Sequence, residues 1–170
     1  QEAAEKIQDG STLCTIGMTL VSASESILKA IEKRFETVGH PADITLVHSC
    51  GQSDRKDGIQ HLAHEGLVKR IVGSHWGLQP RWMEMIANSQ VEAYCLPQGQ
   101  IAQLYRSMAC GLPGKMSKVG LGTFIDPRVE GGKMNDRTKP LPDLVDILEY
   151  GGEEYMFYKE IPLDTVLIRG

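Results

Sequence analysis

Residues 12–48 read TLCTIGMTLVSASESILKAIEKRFETVGHPADITLVH. Thr12–Ile16 is apolar and partly β-branched, the composition of a strand. Gly17–Ala23 follows as a loop. Ser24 is placed to cap a helix that runs to about Thr37, in which Ile27, Leu28, Ile31 and Phe35 recur at spacings of one, three and four. That spacing makes one apolar stripe on a 3.6-residue helix. Ile44–His48 is again strand-like. A strand, loop, helix and strand in this order predict a right-handed parallel crossover.

The same alternation continues outward. Upstream, Ala3, Ala4 and Ile7 share one face of a short helix that Gly10 ends. Downstream, Leu67–Val72 is predicted as a strand and Arg81–Asn88 as a short helix with Trp82, Met85 and Ile86 inward. Val91–Leu96 is a strand stopped by Pro97. Gly99–Cys110 is a helix with Ile101, Leu104, Tyr105 and Met108 inward and Gly111 as its C-cap. Gly114–Pro140 is glycine-rich and predicted as loop. Leu144–Leu148, Tyr155–Tyr158 and Val166–Ile168 are late strands. No repeat of solenoid length and no low-complexity tract interrupts the pattern. The fold class is therefore α/β, with an open, mostly parallel sheet and helices on both faces.

The 170 residues suffice for one compact domain, and 41% apolar with 24% charged residues is an ordinary globular composition. A net charge of −4 argues against a general nucleic-acid binder, which carries a basic excess. No run approaches the roughly 20 apolar residues that a membrane span needs, and Gln1–Gly10 is polar, unlike a secretory signal. Cys14, Cys50, Cys95 and Cys110 show no CxxC spacing. They are expected to be buried free thiols, which points to a reducing cytoplasm. The chain lacks an initiator Met and stops just after a strand-like run, so it is expected to be a piece of a longer protein.

In parallel sheets, ligands bind outside the carboxyl ends of the strands. Gly17–Ala23, Gly51–Gly58, Gly73–Pro80, Pro97–Gly99 and Gly120–Pro127 take that position. The Gly17-Met18-Thr19-Leu20-Val21-Ser22 loop offers backbone amides to an anion or a polarised carbonyl oxygen. With one glycine and no GxGxxG, it is equally an ordinary βα turn. In Pro97-Gln98-Gly99, proline ends the strand, glycine permits close approach, and the Gln98 amide both donates and accepts. A plain strand-ending turn has the same composition. His61, His64 and Glu65 in HLAHEG are not HExxH, and no distant third ligand stands out, so helix-end packing is favoured over a metal. His75 is expected to anchor its loop rather than catalyse. Ser22, Ser24 and Ser26 lie outside any GxSxG nucleophile elbow. Arg128 and Lys133 are placed to meet phosphates, or to belong to a solvated loop.

GHPADIT (39–45), AHEGLVKRIVGSHWG (63–77), PQG (97–99), GLGTFIDPRVEGGKMND (120–136) followed by Thr138-Lys139, EEYMFYK (153–159) and VLIRG (166–170) occur in one order over nearly the whole chain. Together they resemble family I CoA-transferases of the acetate/propionate group. The resemblance implies the NagB/RpiA/CoA-transferase-like fold and single-chain enzymes with two similar α/β halves, of which this is the first. It implies covalent catalysis: a glutamate carboxylate attacks an acyl-CoA thioester, and the resulting anhydride is converted to a glutamyl-CoA thioester that an acceptor acid resolves. That glutamate belongs to a glycine-rich motif of the second half. No segment here matches it, and Glu65 lies in a first-half motif, so no catalytic residue is assigned to this chain. Substrate contacts are implied at Gly17, Met18 and Leu20, at Gln98 and Gly99, and at Gly122 and Thr123. The resemblance implies no metal and no permanent cofactor; coenzyme A is substrate. The implied partners are acyl-CoA, short carboxylic acids, the C-terminal half of the same enzyme and further copies of the full-length protein. Where the family usually has another glycine and a proline, this chain has Leu20 and Ser24, and Leu20 narrows the loop. The other readings open to the sequence are an acyl-CoA hydrolase and a non-catalytic ligand-binding α/β domain.

Overall fold

The computed structural model describes residues 2–169; Gln1 and Gly170 lie outside the described residues. Elements run α1 (Glu2–Glu5), β1 (Thr12–Thr15), α2 (Glu25–Val38), β2 (Ile44–His48), a 3-10 helix (Gly58–Leu62), β3 (Val68–Gly73), α3 (Pro80–Ala87), β4 (Glu92–Cys95), α4 (Gln98–Ala109), β5 (Gly114–Ser117), β6 (Val145–Tyr150), β7 (Glu153–Lys159) and β8 (Thr165–Leu167). Strands β4-β3-β2-β1-β8 make a five-stranded sheet in which every pairing is parallel.

Successive side chains along a strand point to opposite faces, and this alternation sorts the core into two layers. Leu13, Leu46, Ile71 and Ala93 face α1, α2, the 3-10 helix and α3. Cys14, Val47, Val72 and Tyr94 face the other way, onto Ile101 and Leu104 of α4. Each large aliphatic side chain buried this way stabilises the fold by about 1.5–3 kcal/mol. Leu28 and Ile31 form the fully buried part of the α2 stripe, with Ile27 and Phe35 packed beside them. Gly39, at φ 74°, ends that helix by donating its N–H to Phe35 O (2.8 Å).

Several expectations are corrected. Ser24 precedes α2, but its hydroxyl makes no capping bond; Glu25 instead accepts from the Gly58 amide (2.8 Å) across the interface. Helix α4 closes at Cys110, with Gly111 one residue further on at φ 70°. The stretch predicted as loop begins with strand β5, which pairs antiparallel with β7, as does β6. This second, three-stranded sheet shares one face of the main sheet with α4: Val145, Met156 and Tyr158 complete the second core layer. The cysteines are all free thiols, but only Cys14 is buried; Cys50 and Cys95 are half-buried and Cys110 is exposed. Burial pushes the Cys14 and Cys95 thiols above their ordinary pKa. No helix among the described residues is long and apolar enough to cross a membrane.

Candidate functional site at the carboxyl edge

Thr15, His48, Gly73 and Cys95 end the four paired strands β1 to β4. Above them rise the loops the sequence singled out. The 17–23 segment is a tight turn: Met18 N–H donates to Val21 O (3.0 Å), Val21 N–H returns to Met18 O (2.9 Å), and Ala23 N–H reaches Leu20 O (3.3 Å). Thr19 N–H donates to Gly51 O of the neighbouring loop (2.8 Å). These four amides are therefore occupied, and among the described residues those of Gly17, Leu20 and Ser22 have no acceptor, so the loop offers fewer free donors than its sequence suggests. Gly17 stands at φ 155°, and a Cβ there would lie 2.9 Å from Val21 O. A side chain is thus excluded by sterics as well as by backbone conformation. Met18 and Val21 are exposed and Leu20 is half-buried; Thr19 to Ser22 and Arg169 line an open groove of about 580 Å³.

Gln98 and Gly99 are the first residues of α4, and both are exposed. The Gln100 and Ile101 amides bond to Pro97 O (2.9 and 3.1 Å), while those of Gln98 and Gly99 have no acceptor among the described residues. The first amides of a helix carry partial positive charge and suit an anion. Nothing lies within 4 Å of a Cβ built on Gly99, so this end of the helix opens to free space.

The Gly120–Pro127 loop is held by Asp126, which is buried and accepts from Gly122 N–H (2.9 Å), Arg128 N–H (3.0 Å) and the Arg128 guanidinium (2.8 and 2.9 Å). The guanidinium, ahead of the two amides, holds the Asp126 carboxyl far below the usual carboxylate range. Thr123 bonds back to Gly120 O through both its hydroxyl (2.8 Å) and its N–H (3.1 Å). Gly132 N–H donates to Phe124 O (2.9 Å), and Cys95 N–H to Gly132 O (2.7 Å), which seats the loop beside β4. Arg128 also pairs with Glu154 (2.9 Å), and Lys133 with Asp143 (2.9 Å). Both cations expected to meet phosphates are committed to carboxylates of the chain itself.

The three segments share one edge but are not in contact through any hydrogen bond among the described residues. Strands β1 and β4 are three places apart in the sheet, about 14 Å at normal strand spacing. The space between is walled by a buried polar layer that the sequence did not reveal. Gln52, Gln79 and His48 are fully buried. His48 Nδ1–H donates to Cys50 O (2.7 Å), and burial drives its pKa down to about 4, so it is neutral. Its ring lies 2.5 Å from where a Gly73 Cβ would be, which explains that glycine. His75 is exposed and makes no side-chain hydrogen bond among the described residues.

His61 and His64 belong to a different cluster, between the 3-10 helix and α2. His61 Nδ1 meets Glu32, its Nε2 meets Glu25 (2.8 Å) and Asp57 (3.3 Å), and His64 Nε2 meets Glu32 (2.9 Å). Lys29 bridges Glu25 and Asp57 (3.1 and 3.2 Å), and Arg81 approaches Glu32 (3.5 Å). Burial alone would lower the His61 pKa, but the bonds to Glu32 and Glu25 outweigh it and raise it. Burial would raise the Glu32 pKa, but the two histidines lower it. A raised histidine stabilises fully below its ordinary pKa of 6.5, and this is lost as pH rises through the higher folded value. A lowered carboxylate stabilises above its ordinary 4.5, lost as pH falls. The cluster is therefore strongest between these two values. Raising the pH from about 6 to 9 is expected to cost about 1 kcal/mol at this cluster, or some 2–4 °C in thermal midpoint. In His61→Gln that part of the pH slope disappears; a variant with the wild-type slope would remove His61 as its cause.

The Coenzyme A transferase family profile matches residues 1–170. The chain belongs to the Coenzyme A transferase family. It is 42% identical to the caffeate CoA-transferase of Acetobacterium woodii, over all of this chain and 32% of that protein. It is 38% identical to the acetate CoA-transferase YdiF of Escherichia coli K12, over 99% of the chain and 32% of the relative. A crystal structure of the acyl-CoA transferase YdiF from E. coli O157:H7, a thioester complex with CoA, superposes with a TM-score of 0.94 at 36% identity, covering 99% of this chain and 33% of that one. This CoA-transferase chain thus spans about a third of the length of these relatives. The crystal neighbour bears out the α/β fold with its mostly parallel sheet.

Proposed function

We propose that the chain is the N-terminal part of an enzyme that moves CoA between a short-chain acyl-CoA and a carboxylic acid such as acetate or propionate. The observation that carries this reading is the open N-terminus of α4. There Gln98 is exposed, its amide and that of Gly99 have no acceptor among the described residues, and Gly99 faces free space at the carboxyl edge of the sheet, inside a chain that the family profile matches from end to end. Gly17, Met18 and Leu20 form a second wall of the pocket, and Gly122 and Thr123 a third. The nucleophilic glutamate comes from the region outside this chain. Its carboxylate attacks the thioester carbonyl and expels CoA thiolate, giving a mixed anhydride. The thiolate then attacks the glutamyl carbonyl and releases the donor acid as carboxylate. The acceptor carboxylate reverses the two steps. Here the helix amides stabilise oxyanion charge and Gln98 orients the reacting carboxylate or carbonyl. The enzyme acts in the cytoplasm as an oligomer of the full-length protein.

The direct test is CoA exchange between acetyl-CoA and propionate by the full-length protein, followed by propionyl-CoA formation; release of free CoA in its place points to the hydrolase, and neither to a binding domain. Gln98→Ala in that protein is expected to lower kcat/KM about ten- to a hundred-fold, the worth of one positioned hydrogen bond of about 1–3 kcal/mol. Because Gln98 is exposed at a helix start, its thermal midpoint should hold steady. Activity within about two-fold of wild type would reduce Gln98 to a turn residue.

A further inference from the structure

Gln52 sits in a loop, where polar side chains normally face water, yet it is fully buried. Its Nε2 donates to Thr15 O (2.8 Å), the last carbonyl of β1, two residues before Gly17. Its backbone is gripped from two other sides. Its carbonyl accepts from Ile59 N–H of the 3-10 helix (2.9 Å). Its N–H donates to the Gln79 side-chain oxygen (3.1 Å), with the Gln79 amide oriented so that its nitrogen donates to His75 O (3.1 Å). The preceding residue, Gly51, accepts from Thr19 N–H (2.8 Å). One loop therefore holds the Gly17–Ser22 turn at its root and at its tip, and Gln79 ties the 73–80 loop to the same point.

The turn needs such support. Gly17, Thr19 and Ser22 stand at φ 155°, 53° and 62°, and side-chain-bearing residues keep positive φ only where their surroundings enforce it. Met18 is 57% and Val21 67% exposed, so core packing does not fix the turn. We propose that Gln52 is a positioning residue: its amide contacts no substrate and holds the turn that carries Met18 and Leu20 in the shape the acyl-CoA meets. Its effect on turnover rests on the CoA-transferase reading, whereas its hold on the turn rests on this chain alone.

Two measurements on the full-length protein separate these. Gln52→Met keeps the length and apolar volume of the side chain and removes the donor. Amide hydrogen exchange at Met18, Thr19, Val21 and Ala23 is expected to quicken about ten-fold. kcat/KM should fall by a similar factor, with a changed butyryl-CoA to acetyl-CoA ratio, because Leu20 moves with the turn. Ile31→Val, a destabilising change in the core under α2, serves as control and leaves turn exchange and substrate ratio as they were. In Gln52→Glu, a protonated carboxyl can donate to Thr15 O and a carboxylate cannot. Protection of the turn should then return as the pH is lowered, and this variant decides the matter if Gln52→Met does not fold. Unchanged exchange in both variants overturns the proposal, and so does faster exchange with unchanged kcat/KM and ratio. If wild type transfers no CoA, the functional reading fails, and exchange still decides whether Gln52 holds the turn.

Discussion

The 170-residue chain, purified alone and given acetyl-CoA and propionate, is expected to transfer no CoA above background, whereas the full-length protein turns over several orders of magnitude faster. A nucleophilic carboxylate needs a free lone pair and room for an acyl group. The aspartates in the 51–58 and 120–127 loops are instead engaged by amides and cations, which weakens them as nucleophiles. Asp54 accepts from the Asp57 and Lys56 amides, Asp57 is held by Lys29 and His61, and Asp126 by Arg128. In each the partners lower the carboxyl pKa: the Asp57 backbone amide lowers that of Asp54, the Lys29 ammonium that of Asp57 and the Arg128 guanidinium that of Asp126, and a less basic carboxylate is a weaker nucleophile. Glu65 fails on position. It precedes β3, so it lies at the amino end of the sheet, away from the loops above Gly73. Transfer by the isolated chain within about ten-fold of the full-length rate would place the nucleophile inside it and contradict this assignment.

Trp82→Ala is expected to cost about 3–5 kcal/mol, the usual loss for truncating a buried tryptophan. At this chain length that lowers the thermal midpoint by about 10 °C or more. Trp82 is fully buried under the first face of the sheet, and its Nε1–H donates to Ile59 O (2.9 Å). Truncation leaves a large void and a buried carbonyl without its donor. Ile59 is also the residue whose N–H holds Gln52 O, so the loss reaches the loop that grips the Gly17 turn. Trp82→Phe fills most of the void and gives up only the hydrogen bond, so it should cost about 1–3 kcal/mol. A Trp82→Ala midpoint within about 3 °C of wild type would mean that the 3-10 helix does not depend on this side chain.

The sequence by itself determined the alternation of strands and helices, because period-2 and period-3.6 burial are written in the order of apolar residues. Leu13 and Cys14, or Ile71 and Val72, had to part to opposite faces once their strands lay in a doubly covered sheet. It also placed the start of α4 to within one residue, at Gly99 where the structure has Gln98, because Pro97 ends the strand before it, and it supplied the run of motifs that placed the chain among CoA-transferases. Long-range partnership was not legible. Nothing local distinguishes an Arg128 that would meet a phosphate from one that meets Asp126 and Glu154, because the choice depends on carboxylates brought in by folding. Strand β5 hid in a glycine-rich stretch because its four residues gain their order from pairing with the distant β7, Gly114 opposite Lys159 and Ser117 opposite Met156. Cys110, flanked in sequence by Met108, Ala109 and Leu112, ends exposed because α4 stops there. Gln52 looked like any polar loop residue. Only the tertiary structure, by closing three loops over it, turned its amide inward to the end of β1, where a buried donor must find an acceptor and Thr15 O is the one within reach.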